Sequence, residues 1–330
     1  MSGGPTTMVR EAPAHALRAA FIWASHRRRL ARMATRSRVT RGTVRRFVAG
    51  ESLPEALEAL ARLHASGMKT TVDVLGEAVT SIDEARAAAD RYLDVLDALA
   101  ERGLDGNVSL KLTQMGLEVD RAACLENVRR IVERAAARGA FVRVDMEDHC
   151  RTDQTLAIVR ELHASHPNVG TVIQSYLRRS AADVEVLDRE RIAVRLCKGA
   201  YDEPASVAYP AKADVDASYR DLAATLLREG SYPALATHDP AISDVVCRLA
   251  ARGGLGRDKF EFQMLYGIRR DLQERLAGDG YTVRVYVPFG TEWYPYYMRR
   301  LAERPANVLF MARSVLREGR HRPAATAGRT

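Results

Sequence analysis

Residues 108–147 read VSLKLTQMGLEVDRAACLENVRRIVERAAARGAFVRVDME, and this stretch decides the fold. It opens and closes on short β-rich runs, VSLKLTQ (108–114) and FVRVDME (141–147). Between them LENVRRIVERAAARG (125–139) carries apolar residues at helical spacing. Strand, helix, strand at this length is the repeating unit of a parallel α/β sheet. Further β-rich runs follow the same rhythm on both sides: TTVDVLGE (70–77), TVIQSY (171–176), AVRLCKG (193–199), PALATHD (233–239), FEFQML (260–265) and VRVYVPFG (283–290). Helical stretches such as SIDEARAAADRYLDVLDALAERG (81–103) separate them. Eight strands alternating with helices predict an α/β fold of the (β/α)8 TIM-barrel type. A doubly wound open sheet is the rival. It usually carries a glycine-rich phosphate loop after its first strand, and VDVLGEAVT is not one.

Working outward, Ala14 to Phe47 has a helical pattern, and Ser52, Pro54 and Glu55 mark the start of a further helix. The expected organisation is a single barrel domain over 14–318 with N-terminal helices at 14–66 and a last helix over the C-terminal rim. Disordered tails are expected at 1–13 and 319–330. Of 330 residues, 47% are hydrophobic and 28% charged, which excludes disorder, collagen and a disulfide scaffold. No apolar run reaches the roughly 18 residues of a membrane span, and no signal-peptide pattern opens the chain. The four cysteines, at 124, 150, 197 and 247, form no CxxC pair and are expected as reduced thiols. The net charge of +8 is local: residues 1–50 hold eleven arginines against Glu11 alone, so the remaining 280 residues carry −2. Such an arm suits an arginine-rich helical face better than nucleic acid, for which the chain has no motif.

Within the strands one face turns polar. Val108, Leu110 and Leu112 oppose Ser109, Lys111 and Thr113; Val142, Val144 and Met146 oppose Arg143, Asp145 and Glu147. Arg195 stands between Val194 and Leu196, and Arg284 and Tyr286 between valines. Parallel barrel strands are normally apolar on both faces. Long charged side chains inside a barrel are costly unless paired, so these residues predict a ligand site at the C-terminal rim. Gathered there are Lys111, Asp145, Gln174, Arg195, Lys198, Thr237, His238 and Tyr286. In WYPYYMRRLAERPAN (293–307), Tyr296 and Arg300 share a helix face, with Arg299 on its flank. Cations outnumber acids, which suits an anion such as a carboxylate. Lys111 as a Schiff base, or Asp145, Glu147 and His149 as hard metal ligands, are alternatives at this point. A redox role needs a cofactor, which the pattern alone does not name.

The chain resembles the monofunctional bacterial proline dehydrogenases, flavoproteins that oxidise L-proline. The resemblance runs from Arg45 to Ser314 and rests on DVLGE, SLKLTQMGL, RVDMED, VIQSYLRR, VRLCKGAYDEP, ATHDP, FEFQMLYGIRR, YVPFG and YPYYMRRLAERPAN, in family order. It implies FAD as cofactor, Δ1-pyrroline-5-carboxylate as product and a membrane quinone as electron acceptor. It implies carboxylate binding by Lys111, Arg299 and Arg300, Asp145 beside the substrate and Arg195 against the flavin. Met146, Gln174, Lys198, Gly199, Ala200, Thr237 and His238 match flavin-contacting positions. Tyr201, Leu265, Tyr286 and Tyr296 match the wall around the proline ring, and Glu303 a helix acid that pairs with an arginine. Two departures, KLTQ for KLS and Asp202 after KGAY, point to the short branch of the family. The chain ends soon after the last expected barrel helix. The second activity of the long bifunctional members, a pyrroline-5-carboxylate dehydrogenase, is therefore expected on a separate protein. The expected location is cytoplasmic, with Leu17–Arg46 available to lean on the bilayer surface.

Overall fold

The structure, a computed structural model, describes residues 44–76 and 78–303, without the side chains of 302 and 303. The expected helical segment 14–43, the tails at 1–13 and 319–330 and the end of the last helical motif lie outside these residues. The described residues fall into two compact units: Val48–Thr291, and a second that draws on 44–47 and 292–303.

The first unit is a barrel. Helix α1 (Leu53–Ala65) leads into β1 (Lys69–Val74). Then follow α2 (Ile82–Glu101), β2 (Asn107–Leu110), α3 (Arg121–Ala137), β3 (Phe141–Val144), α4 (Thr152–His163), β4 (Val169–Gln174), α5 (Ser180–Arg189) and β5 (Val194–Cys197). The chain continues through α6 (Lys212–Glu229), β6 (Ala234–Ala236), α7 (Pro240–Arg252), β7 (Glu261–Leu265), α8 (Arg270–Gly278) and β8 (Thr282–Phe289). All eight strands are parallel and pair in sequence order, and β8 closes on β1 through Lys69↔Arg284 to Val74↔Phe289. The eight sequence-read strands are all present and lie in one closed sheet. Several stop short of the expected C-terminal end: β2 at Leu110, β3 at Val144, β6 at Ala236.

Local chemistry sets the helix starts. Glu55 reaches back to accept from the backbone N–H of Glu51 and Ser52 at 2.9 and 3.2 Å, behind Pro54 in the first turn of α1. Ser81, Asp120 and Asp239 accept backbone N–H bonds at the starts of α2, α3 and α7. The outward strand residues Val108, Leu110, Val142, Val144, Leu196, Leu235, Val283, Val285 and Val287 pack with the helices in one core. Burying such a side chain contributes about 1.5–3 kcal/mol, which supplies the force that wraps the helices on the sheet.

One buried group in this unit is poorly housed. Both carboxylate oxygens of Asp188, at the end of α5, are buried without a partner. Burial, and then the nearby Glu229, push its pKa up to about 6 from 3.8. The folded state therefore holds this proton more tightly than the unfolded chain. Stability is fully present below pH 4 and is lost as pH rises towards 6. Asp188→Asn should raise the melting temperature by about 2–4 °C at pH 7.5, after discounting for partial solvation, and by little at pH 4. Thermal unfolding at the two pH values checks this.

The second unit holds α9 (Trp293–Glu303). Trp293 stands edge-on to Tyr297 at 6.0 Å, and Phe47 meets Tyr297 at 6.2 Å. Arg300 lies over the ring of Tyr296 at 5.1 Å, one turn away on the face that the sequence assigns to both. Among the described residues, no helix is long and apolar enough to cross a membrane.

Candidate functional site

The inner face of the barrel is polar along its length. At the C-terminal end Asp145 is the common acceptor. Arg195 Nη1 donates to its Oδ1 at 2.8 Å and Ser109 Oγ to the same atom at 3.0 Å. Tyr286 O–H donates to Oδ2 at 2.9 Å, and Lys111 Nζ to Oδ2 at 3.4 Å. Lys111 also donates to Asp73 at 3.2 Å and to the Tyr286 oxygen at 3.4 Å. The Arg195 guanidinium lies 5.4 Å over the Tyr286 ring and bonds Gln263 through Nε, while its Nη2 is buried without an acceptor.

Electrostatics fix the charge states. Burial raises the Asp145 pKa, but Lys111, Arg195 and the bonds from Tyr286 and Ser109 outweigh it, so its carboxyl sits below the usual range. Burial, then Asp145 and Asp73, hold the Tyr286 phenol well above its ordinary value, so it remains a neutral donor. Asp145 is thus an anion and Tyr286 a hydrogen-bond donor throughout the neutral range.

Lys111, Asp145, Arg195 and Tyr286, all picked out in the sequence, are therefore joined in one network. Ser109, read on the polar face beside Lys111 but not gathered into the rim set, joins them, and two members were missed: Asp73 in TTVDVLGE and Gln263 in FEFQML. Each stands in a polar–apolar alternation like that of Lys111, which is the signal that marks them. The other candidates occupy neighbouring strand ends. Gln174, closing β4, donates to the backbone oxygen of Glu147 at 2.8 Å. Lys198, just past β5, pairs with Asp216 at 2.6 Å. The N–H of Thr237 bonds Gln263 O at 3.2 Å, and His238 Nε2 accepts from Leu265 N at 2.9 Å, tying the end of β6 to β7. Met146 is buried; Gly199, Ala200 and Tyr201 follow β5, with Tyr201 exposed. Gly199 has φ +109°, and a Cβ there would stand 2.4 Å from a ring carbon of Tyr176, so this turn requires glycine. Tyr296, Arg299 and Arg300 belong to α9 in the second unit.

Two sequence readings need correction. Asp145, Glu147 and His149 do not point one way. Glu147 accepts from Thr113 N and Oγ1 at 3.1 and 2.7 Å, and His149 Nδ1 bonds the carboxylate of Glu203. The strand ends at Val144, so period-two alternation does not extend to them. Nor are all the inward charges at the rim. Arg284 Nε donates to both Glu261 oxygens at 2.9 and 3.1 Å, and its Nη1 bonds Asp105 and, at 2.7 Å, Thr70 O. Arg143 donates to the Thr171 and Ala193 carbonyls at 3.0 and 2.6 Å. Burial, then the like charge of Arg195, push its pKa down to about 9. Gly170 makes room for it, since a Cβ there would stand 2.9 Å from Arg143 Nη1.

The sequence profile described as Proline dehydrogenase matches residues 56–313. The chain belongs to the proline dehydrogenase family. Proline dehydrogenase from Deinococcus radiodurans is 47% identical over 82% of this chain and 89% of that protein. Proline dehydrogenase 1 of Bacillus subtilis strain 168 is 41% identical over 92% and 100%. Among solved structures, proline utilization A from Bdellovibrio bacteriovorus, inactivated by N-propargylglycine, matches with a TM-score of 0.75 at 28% identity. That match covers 79% of this chain and 32% of the longer one, so the chain spans about a third of that protein. The proline dehydrogenase family groups flavin-dependent oxidoreductases that act on a CH–NH bond, and the barrel network lies in the segment matched to it.

Proposed function

We propose that the protein oxidises L-proline to Δ1-pyrroline-5-carboxylate, with FAD as hydride acceptor, as the first step of proline catabolism to glutamate. The observation that carries this is Arg195: a buried guanidinium, braced by Asp145 and Gln263, with Nη2 left without a protein acceptor. A buried donor of this kind marks a place for an acceptor from a ligand. The residues fit a flavin on further grounds. The positive-φ turn at Gly199 packs its backbone on the Tyr176 ring next to Lys198, and Gln174, Thr237 and His238 set polar groups along neighbouring strand ends. Met146 and Ala200 complete the set that the family resemblance assigns to FAD.

When bound, the flavin supplies the two-electron acceptor for the hydride from the ring carbon next to the proline nitrogen. The chain's own residues position and polarise. Lys111, with Arg299 and Arg300 by resemblance, holds the substrate carboxylate. Tyr286, Leu265 and Tyr201, with Tyr296 by resemblance, supply a wall for the small apolar ring. Asp145 fixes Lys111, Tyr286 and Arg195 relative to one another, so much of the rate comes from orientation. Arg195 stabilises the negative charge that the acceptor gains. A membrane quinone is the proposed onward acceptor, and a separate pyrroline-5-carboxylate dehydrogenase the consumer of the product.

Anaerobic mixing of FAD-loaded protein with L-proline tests the proposal: the oxidised flavin absorbance should bleach, and a spectrum that stays unchanged would refute it. Arg300→Ala should raise the proline KM about thirtyfold or more, the value of a lost charge-assisted bond, while flavin stays bound. An unchanged KM would remove Arg300 from the carboxylate site.

A further inference from the structure

Gln263 meets Arg195 through its side chain, and its amide is fixed at both ends. Its Oε1 accepts from Arg195 Nε and its Nε2 donates to Glu261 Oε1. The amide cannot flip, because the flipped form would set NH2 against a guanidinium N–H and oxygen against a carboxylate. Glu261 is held in turn by Arg284, and Arg284 by Asp105 and Thr70 O. The result is an unbroken chain of directed bonds, Asp105–Arg284–Glu261–Gln263–Arg195–Asp145, along the inside of the barrel.

The sequence leaves room for this link. Arg195 is on β5 and Gln263 on β7, so the arginine must cross β6. In register Arg195 faces Ala234, and Ala236 faces Gln263. Leu235 packs in the helix-side core, so the two alanines take the inner face of β6, where they leave the space that a longer side chain would fill. Arg195 has a like-charged neighbour in Arg143, whose depressed pKa it helps to cause. A guanidinium so placed needs fixed acceptors to keep one orientation.

We infer that Gln263 is a positioning residue: oriented by the Glu261–Arg284 pair, it sets the Arg195 guanidinium so that Nη2 is presented to the flavin. This rests on the proposed proline oxidation. In Gln263→Met the Arg195 Nε loses its acceptor and the side chain swings on Asp145 alone. The rate of flavin reduction at saturating proline should fall about tenfold to a hundredfold, with the half-saturating proline concentration changed less than about threefold. Sulfite, which adds to oxidised flavin and senses positive charge beside it, should bind the loaded variant at least about fivefold more weakly.

Two further variants separate positioning from a general loss of packing. Gln263→Glu keeps an acceptor for Arg195 but sets a carboxylate against Glu261, and should be as slow as Gln263→Met. Combining it with Glu261→Gln restores one donor and one acceptor in the line, and should return the rate to within about threefold of wild type. In an Arg195→Met background, Gln263→Met should change neither rate nor sulfite affinity further. Wild-type reduction and sulfite binding in Gln263→Met would overturn the inference. So would an undiminished effect of Gln263→Met in the Arg195→Met background, or failure of the swapped pair to recover. If the wild-type protein itself does not bleach with proline, the functional reading fails instead, and the two failures are told apart.

Discussion

Glu261→Leu should destabilise the folded chain by about 3–5 kcal/mol, the cost of stranding one partner of a buried ion pair. Both partners are deep in the barrel, with side chains 2% and 7% exposed for Glu261 and Arg284. Burial raises the Glu261 pKa, but Arg284, with Gln263, more than offsets it, so the carboxylate stays charged. Arg284 stays charged for the mirrored reason. Removing Glu261 leaves that cation with Asp105 and the Thr70 carbonyl alone, and deprives the Gln263 Nε2 of its acceptor. Asp105 is partly solvated, so it screens the stranded charge and holds the loss toward the lower end of the range. Replacing both partners, as Glu261→Leu with Arg284→Met, removes the desolvated charge altogether and should recover at least half of the lost stability. Urea unfolding of the two variants decides the matter. A single variant as stable as wild type would mean that the pair adds nothing to the fold. A double variant worse than the single would mean that the charges do more than cancel each other.

The pair also shows where sequence reading stopped. Alternation of polar and apolar residues at period two named the inner face of β2, β3, β5 and β8 correctly, since Ser109, Lys111, Arg195 and Tyr286 meet across the barrel as that pattern requires. It says nothing of height. How far along the axis a residue stands depends on the stagger of one strand against the next, which no single strand encodes. Arg284 was therefore grouped with Tyr286, two residues on, although it bonds a different layer. Strand ends were misread for a related reason: Asp145 and Lys111 continue the alternation in sequence, but each lies just past the last residue of its strand. Helix-bound features fared better, because a helix is locally determined. The pairing of Tyr296 with Arg300 follows from spacing alone. Asp73 and Gln263 were legible in principle, since Val72 and Val74 flank the first and Phe262 and Met264 the second, as valines flank Arg284.

Asp145→Asn should lower kcat/KM for proline about a hundredfold to a thousandfold while the protein stays folded. The carboxylate serves two donors on each oxygen: Ser109 and Arg195 on Oδ1, Lys111 and Tyr286 on Oδ2. Asparagine keeps the size and one acceptor oxygen but turns the other into an NH2, which faces donors whichever way the amide is set. One of the two pairs must release. If Lys111 and Tyr286 release, the lysine moves wholly to Asp73, 3.2 Å from it in the wild type, and the carboxylate end of the substrate loses a fixed cation. If Arg195 releases, it retains Gln263 but loses the charge that sets its reach. Either way a positioning contact is lost, so the fall should appear in the rate of flavin reduction at saturating proline as well as in KM. The pH profile gives a second check. The cations beside Asp145 hold its pKa below the usual carboxylate range against the opposing effect of burial, so the wild-type carboxylate is ionised across pH 5 to 8. It should contribute no acidic limb to kcat/KM there, and the profile of Asp145→Asn should be displaced downward without changing shape on the acid side. A variant within about twofold of wild type would show that the four donors hold their places without a common anion. An acid limb lost on substitution would show instead that Asp145 acts by taking up a proton.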